Sequence, residues 1–363
     1  MQNQKVIGLK IGIIFMLGFV VATLVFGIVT IRPNNPEKYT FSTSVNKCVL
    51  CIGDGMGENH VKVAEAYFRH PISFTNYPIK GFVHTNSLNL VGPTDSAAAA
   101  SALATGRKYQ KGVVSLEDGP VKTICDYFHE KGLGTAIVTT DDLSGATPAG
   151  FSAHAKSRSD TMDIIMSQLS SDVDLLIGSG ATTYAPYMEE INNHGYQLIT
   201  SFSELEVTNQ KTIATFEQIS YHNNSDCNPT LSSVVEFAYQ YLEANYPQGY
   251  FLMIEGAHID KRSHDNNIIS MINYLEAFDD AINLLYNHLK CENYFIMVTA
   301  DHETGHLDFQ NEEINNQLFK STGHTSRDVP YYISSSIQNL QDITPIIDNT
   351  EVFQIYKQII KNV

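Results

Sequence analysis

The sequence predicts an α/β fold with a central, mostly parallel sheet sandwiched by helices. Three observations predict it. Short runs rich in Val, Ile, Leu and Phe recur along the 363-residue chain. They are apolar at every position rather than at alternate ones, so both faces are meant for burial, as in a parallel sheet covered by helices. Longer stretches of helical periodicity separate them, and acidic or His residues follow closely on their ends.

Taken in order, the strand candidates are residues 48–53, 134–140, 174–178, 250–255 and 294–299. The helical stretches are 121–131, 160–169, 231–245 and 267–289. The last is the most regular, with Ile268, Ile272, Leu275, Phe278, Ile282 and Leu285 on one stripe. A further helix begins near Asn59. Another is capped by Thr94 or Asp95, runs through an alanine-rich segment and stops at Gly106. Residues 45–363 show no internal repeat and fit one domain.

The balance of 23 Lys+Arg against 39 Asp+Glu gives a net charge of −16, with 43% hydrophobic and 17% charged residues. That composition excludes wholesale disorder and a small disulfide scaffold. It also argues against nucleic acid as a partner, because phosphate backbones require a basic face. A multi-span membrane protein is excluded because only one long apolar run exists, residues 11–31, with Lys5 and Lys10 before it and Arg32 after it. As a helix that run is about 31 Å long, the thickness of a bilayer core. It is expected to be an uncleaved, single-pass membrane anchor, with residues 1–10 cytoplasmic. Residues 32–44 then form a linker, and 45–363 form an extracytoplasmic catalytic domain. A cleaved signal, giving a secreted protein, and a buried helix are the alternatives. The five cysteines, Cys48, Cys51, Cys125, Cys227 and Cys291, are too scattered and odd in number for a framework. Cys48 and Cys51 are expected in the core, and one disulfide is left open.

Six blocks carry chemistry. Asp54 ends the first strand between Gly53 and Gly55, where glycine permits a tight turn; an Asp there would equally cap the next helix. Ser96 follows Thr94 and Asp95 at the first turn of the alanine-rich helix, where the dipole favours an anion; a plain capping serine is the bland alternative. Thr147 lies in Gly145-Ala146-Thr147-Pro148, and Arg158 follows His154. Arg158 could fork onto two phosphate oxygens or simply lie on the surface, and His154 reads as structural. Glu255 ends a strand, and Asp260 and His264 are four apart, on one face of a helical turn as zinc ligands require. His258 between them reads as supporting or structural. Asp301 and His302 end the last strand, and His324 follows Gly323. Asp and His residues thus gather beyond the strand ends, where parallel sheets bind ligands.

In this order the blocks G-D-G-M-G, T-D-S-A-A-A, A-T-P-A with Arg158, E-G-A-x-I-D-x3-H, T-A-D-H-E-T-G and T-G-H-T resemble the alkaline phosphatase family over residues 46–335. The C-x-P-x-R motif of the related sulfatases is absent, and Ser96 stands where nucleotide pyrophosphatases present Thr. The resemblance implies an alkaline phosphatase, a hydrolase that splits phosphate monoesters to alcohol and inorganic phosphate through a phosphoserine. It implies two zinc ions and one magnesium ion. Ser96 is the expected nucleophile and Arg158 the phosphate-binding arginine. Asp260, His264 and His324 would hold one zinc. Asp54, Asp301, His302 and Ser96 would hold the second. Asp54, Thr147 and Glu255 would hold magnesium. The short connection between the last two blocks implies a minimal crown insertion, and a homodimer is among the assemblies left open. Three places depart from the pattern. Gly145 stands where relatives carry Asp or His beside the magnesium, with Asp141 or Asp142 as candidate substitutes. Lys261 follows Asp260 and is placed to reach phosphate through water. Pro93 and Ser101 deviate mildly around the serine. Competing readings are a phosphodiesterase or phosphonate esterase on the same site, and a metal-dependent phosphate scavenger without catalysis.

Overall fold

Each residue of β1 (Lys47–Ile52) is buried, as a strand in the middle of a helix-covered sheet must be. The computed structural model describes residues 38–41, 45–89, 91–222, 225–338, 340, 342–361 and 363. The expected anchor 11–31, residues 1–10 and most of the linker 32–44 lie outside the described residues. Among the described residues no helix is long and apolar enough to cross a membrane. Residues Phe41–Val363 form one compact unit.

Its sheet has ten strands. From edge to edge they run β12 (Ile346–Asp348), β2 (Ile79–His84), β11 (Val329–Ser335), β8 (Tyr294–Thr299), β1, β7 (Tyr250–Glu255), β3 (Gly134–Asp142), β4 (Leu175–Ser179), β6 (Lys211–Phe216) and β5 (Tyr196–Ile199). The seven from β8 to β5 are parallel. β11 is antiparallel to both β8 and β2, and β12 is parallel to β2. A separate two-stranded ladder pairs β9 (Glu303–Thr304) with β10 (His324–Thr325). Between them the only regular element is a short turn at Asn316–Leu318, so the connection is as spare as expected.

The helices are α1 (Glu58–Phe68), α2 (Ser96–Thr105), α3 (Ile124–His129), α4 (Ala146–Ser152), α5 (Thr161–Leu169), α6 (Ala181–Tyr184), α7 (Met188–Asn193), α8 (Leu231–Asn245), α9 (His258–His264), α10 (Ile268–Leu289) and α11 (Asn349–Ile359). Successive residues of a strand face opposite sides of a sheet, which assigns two helical layers. Phe251 and Phe295 turn to Tyr356 of α11, with ring centroids 5.5 and 5.3 Å away. Phe251 also meets Phe128 of α3 and Phe151 of α4. The neighbouring Tyr250 and Tyr294 turn the other way. Tyr250 donates to Glu243 of α8 at 2.9 Å, and Tyr294 meets Tyr286 of α10 at 6.2 Å. Tyr356 also donates to the carbonyl of Val49 at 2.6 Å, tying the last helix to the central strand.

The five strands predicted from the sequence are the central ones, β8-β1-β7-β3-β4. Two are displaced by a residue, β1 starting one earlier at Lys47 and β4 one later at Leu175, and β3 runs on to Asp142; Asp174, left outside β4, accepts from the Thr135 N–H at 2.8 Å. The helix expected over 121–131 shortens to α3 because Thr123 and Asp126 form a capping box. Asp54 is not a helix cap; Gly57 precedes α1. Asp95, not Thr94, caps α2, accepting from the Ala98 N–H at 3.1 Å. Gly106 ends that helix at φ +71°. All five cysteines are free thiols, with Cys48 and Cys51 wholly buried.

Two expected outcomes follow from this packing. Phe251→Ala should cost about 3–5 kcal/mol of stability, read as a lower urea midpoint. His60, fully buried in α1, has Nε2 3.1 Å from Ser263 Oγ, and its Nδ1 accepts from the Gly57 N–H at 3.2 Å. Burial pushes its pKa down from 6.5 to about 4. The unfolded ring then takes a proton first, so this residue's contribution makes stability rise with pH between about 4 and 6.5. His60→Gln should flatten the urea midpoint over that window.

Candidate active site

Strand register assembles the site. Ile52 pairs with Thr299 on one side and Glu255 on the other, and Glu255 pairs with Thr139. Asp54 and Asp301 follow two residues beyond the matched pair Ile52 and Thr299, so both carboxylates emerge at the same carboxyl edge. Asp301 Oδ1 accepts from the N–H groups of Gly55 at 3.2 Å and His302 at 2.9 Å. Gly55 has φ +70°, and a Cβ there would stand 2.8 Å from Thr304 Oγ1 and 2.9 Å from Asp260 Oδ1. Only glycine lets this loop close so tightly on the site.

Three imidazoles converge there, and their outer nitrogens show how. His264 Nδ1 faces the Thr322 carbonyl, and His324 Nδ1 faces the Thr94 carbonyl at 3.0 Å. His302 Nδ1 faces the Thr304 hydroxyl at 3.2 Å. Carbonyls accept only, so in neutral rings the Nδ1 atoms carry the protons and the Nε2 atoms present bare lone pairs. Those lone pairs point inward at other acceptors. His264 Nε2 is 3.1 Å from His324 Nε2 and 3.3 Å from Asp260 Oδ1. His302 Nε2 is 3.3 Å from Asp301 Oδ2 and 3.5 Å from Asp54 Oδ1. The His302 and His324 rings stack at 3.6 Å. Ser96, buried in the first turn of α2, places Oγ 3.2 Å from His302 Nε2.

Lone pairs aimed at one another require a cation or a proton between them. The carboxylates make the same demand. Burial raises the Asp54 pKa, and the charges of Asp301, Asp260 and Glu255 raise it further. Burial and then Asp141 push Glu255 up to about 8, against the hydroxyls of Thr139 and Thr147. Burial raises Asp260 as well, but hydrogen bonds from His264 and Thr304 and the His302 charge hold it below the ordinary carboxylate range. The Asp260 hydrogen bond in turn raises His264, whereas burial and the His302 charge lower His324. Asp54 Oδ1, Asp301 Oδ2 and Thr147 Oγ1 are buried with no hydrogen-bond partner. Two clusters, Asp54-Asp301-His302 and Asp260-His302-His324, bring ligand atoms within 4.8 Å of one another. Mixed imidazole and carboxylate donors suit zinc, and the all-oxygen group of Asp54, Glu255 and Thr147 suits magnesium.

The remaining expected residues lie around this centre. Arg158 Nη1 is 3.5 Å from Asp95 Oδ2, beside Ser96, with the side chain 39% exposed and free to meet an incoming anion. His154 Nδ1 faces the Ser115 carbonyl at 2.7 Å and is structural, as expected. His258 stacks on Tyr274 at 4.6 Å and meets Thr140 Oγ1 at 3.1 Å. Lys261 is paired with Asp141.

Two contributors escaped the sequence reading. Asp95 was read only as a cap, yet the carboxylate that accepts from Ala98 also meets the Gly112 N–H at 3.0 Å and Arg158. Nothing in the sequence gives Thr304 a role of its own. Its hydroxyl donates to Asp260 Oδ1 at 2.5 Å, so it can only accept from His302 Nδ1, which fixes that ring's tautomer and joins the two clusters. The available signal was its place two residues beyond His302 in the strand-end block. Thr304→Val should weaken binding of an added divalent metal about 10–100-fold in a chelator competition, whereas Thr304→Ser should keep it.

Comparison with known proteins agrees with this arrangement. The family model for alkaline phosphatase matches residues 45–198 and 186–328. Alkaline phosphatase 3 of Bacillus subtilis is 26% identical over 82% of this chain and 70% of its own length. The Schizosaccharomyces pombe alkaline phosphatase is 29% identical over 71% of this chain and 56% of its own. For the Escherichia coli alkaline phosphatase the figures are 28%, 70% and 69%. The solved alkaline phosphatase of the Antarctic bacterium TAB5 superposes with a TM-score of 0.77 at 25% identity, covering 88% of this chain and 99% of that one. Sheet, strand-end residues and sequence blocks therefore agree: the chain belongs to the alkaline phosphatase family of hydrolases.

Proposed function

We propose that this chain hydrolyses phosphate monoesters through a phosphoserine at Ser96, with two zinc ions and one magnesium ion as cofactors. The single observation that carries the reading is the position of Ser96 Oγ, 3.2 Å from a histidine nitrogen that belongs to both ligand clusters. Asp260, His264 and His324 would hold one zinc, Asp54, Asp301 and His302 the other, and Asp54, Thr147 and Glu255 the magnesium. A TAB5 alkaline phosphatase variant carries magnesium in a site called M3, which supports the third assignment. Bound there, the cations would lower the pKa of the Ser96 hydroxyl and neutralise charge on the phosphoryl group.

The chain's own residues do the rest. Ser96 Oγ forms a bond to phosphorus as the bond to the alcohol oxygen breaks; the hydroxyl proton passes to solvent and the alcohol oxygen takes one up. Water then attacks the same phosphorus as the bond to Oγ breaks; one water proton passes through solvent to Oγ, restoring the Ser96 hydroxyl, and inorganic phosphate leaves. Arg158, steered by Asp95, pairs with the phosphoryl oxygens, and the positive end of α2 adds to that field. The run 11–31 is proposed as a single-pass anchor, with 45–363 as the extracytoplasmic catalytic domain; N-terminal sequencing of the mature protein tests whether it is cleaved.

Ser96→Ala should lower turnover of an aryl phosphate by at least about a thousandfold while elemental analysis still finds zinc. Near-normal turnover in that variant would exclude the covalent route. Chelation should abolish activity, and zinc with magnesium should restore it. Faster turnover of the methyl diester than of the monoester would instead make the enzyme a diesterase.

A further inference from the structure

The proposed third cation site has Gly145 at its edge, two residues before Thr147. No side chain at 145 reaches the site, and none fits: a Cβ there would lie 2.8 Å from the Asp142 carbonyl and 3.1 Å from Asp141 Oδ2. The Asp141 carboxylate already fills that space. Its backbone N–H donates to Thr139 Oγ1 at 2.9 Å, and that hydroxyl donates to Glu255. Asp141 Oδ1 accepts from Lys261 and from the Asp142 N–H at 2.7 Å, while Oδ2 is turned toward Gly145.

The surroundings ask for an oxygen-bound cation. Thr147 is 1% exposed, its hydroxyl lying against Glu255 without a well-formed hydrogen bond, and Asp54 Oδ1 has only His302 Nε2, 3.5 Å away. A buried oxygen without a partner costs free energy that a cation would recover. Asp142 is not available for the task. It accepts from the Ser144 N–H at 2.9 Å, the Ser144 hydroxyl at 2.7 Å and the Thr183 hydroxyl at 2.6 Å, on the far side of the strand.

We propose that Asp141 is a magnesium ligand of this chain, supplying from the end of β3 the carboxylate that position 145 withholds. The inference rests on the third-site reading given above. Lys261 balances the Asp141 charge until the cation arrives, and with the side chain 39% exposed it has room to swing into solvent.

The test is magnesium titration calorimetry on zinc-loaded protein, for the native chain, Asp141→Asn, Lys261→Met and Glu255→Gln. Asp141→Asn should weaken magnesium binding at least about tenfold with unchanged zinc content, and Lys261→Met should leave it equal or tighter. Glu255→Gln should abolish it. If Asp141→Asn stays within about twofold of the native chain while Glu255→Gln abolishes binding, the ligand role is wrong and the third site stands. If Asp141→Asn and Lys261→Met weaken binding alike, Asp141 merely tethers the lysine and the proposal falls. If the native chain binds no magnesium, or none of the variants changes its affinity, the third-site reading falls as well.

Discussion

Four acidic side chains, Asp54, Glu255, Asp260 and Asp301, are buried side by side at one rim of a sheet, and that crowding governs the rest. Taking even one carboxylate out of water is expensive unless it is paired or coordinated. Here the neighbours repel as well, and Asp260 alone is relieved, by the imidazoles of His264 and His302 and the Thr304 hydroxyl. A fold tolerates such a centre only if it holds the groups rigidly and something cationic completes them. The rigid support is visible: matched strand register, a loop closed by Gly55, and hydroxyl bridges from Thr139 and Thr304.

Ser96, the proposed nucleophile, gains its place from the same geometry. Ser96 is delivered by the N-terminus of α2, which packs against α4 and α11. The antiparallel ladder of β9 and β10 sets Thr304 opposite His324 and so holds the two ligand clusters in contact. Arg158 comes from a third segment, fixed through Asp95 to the helix that carries Ser96. The separations within the site are thus set mainly by backbone pairing and helix placement, with Arg158 held by a side-chain ion pair.

The legible and illegible parts of the sequence divide on physical lines. The central strands announced themselves because both of their faces are apolar. The outer strands β2, β5, β6, β11 and β12 did not. β2 is largely half-exposed and β11 carries Pro330, so their runs are broken by polar residues and turn formers. The candidate ligands were readable because they fall in compact blocks: Asp54, Glu255, Asp301 and His302 at or just past the ends of legible strands, and Asp260 and His264 one helical turn apart on α9. Thr304 was not, since a threonine gains its role only from two distances that no local pattern encodes. Asp141 and Asp142 could not be told apart in sequence. Adjacent residues near a strand end point to opposite sides, and only the folded chain shows that Asp141 meets Lys261 whereas Asp142 meets Ser144 and Thr183.

Tyr356 gives the architecture a temporal dimension. Its hydroxyl grips the carbonyl of Val49, 307 positions earlier, and β1 waits almost as long for its partners β7 and β8. The first strand of the described sheet is thus not closed on both sides until β8 has emerged. Such long-range closure slows folding and leaves an apolar, unpaired ribbon open to wrong pairings during synthesis. This enzyme's dependence on chaperones would then be set by its topology, through a core that cannot mature until the final helix has emerged.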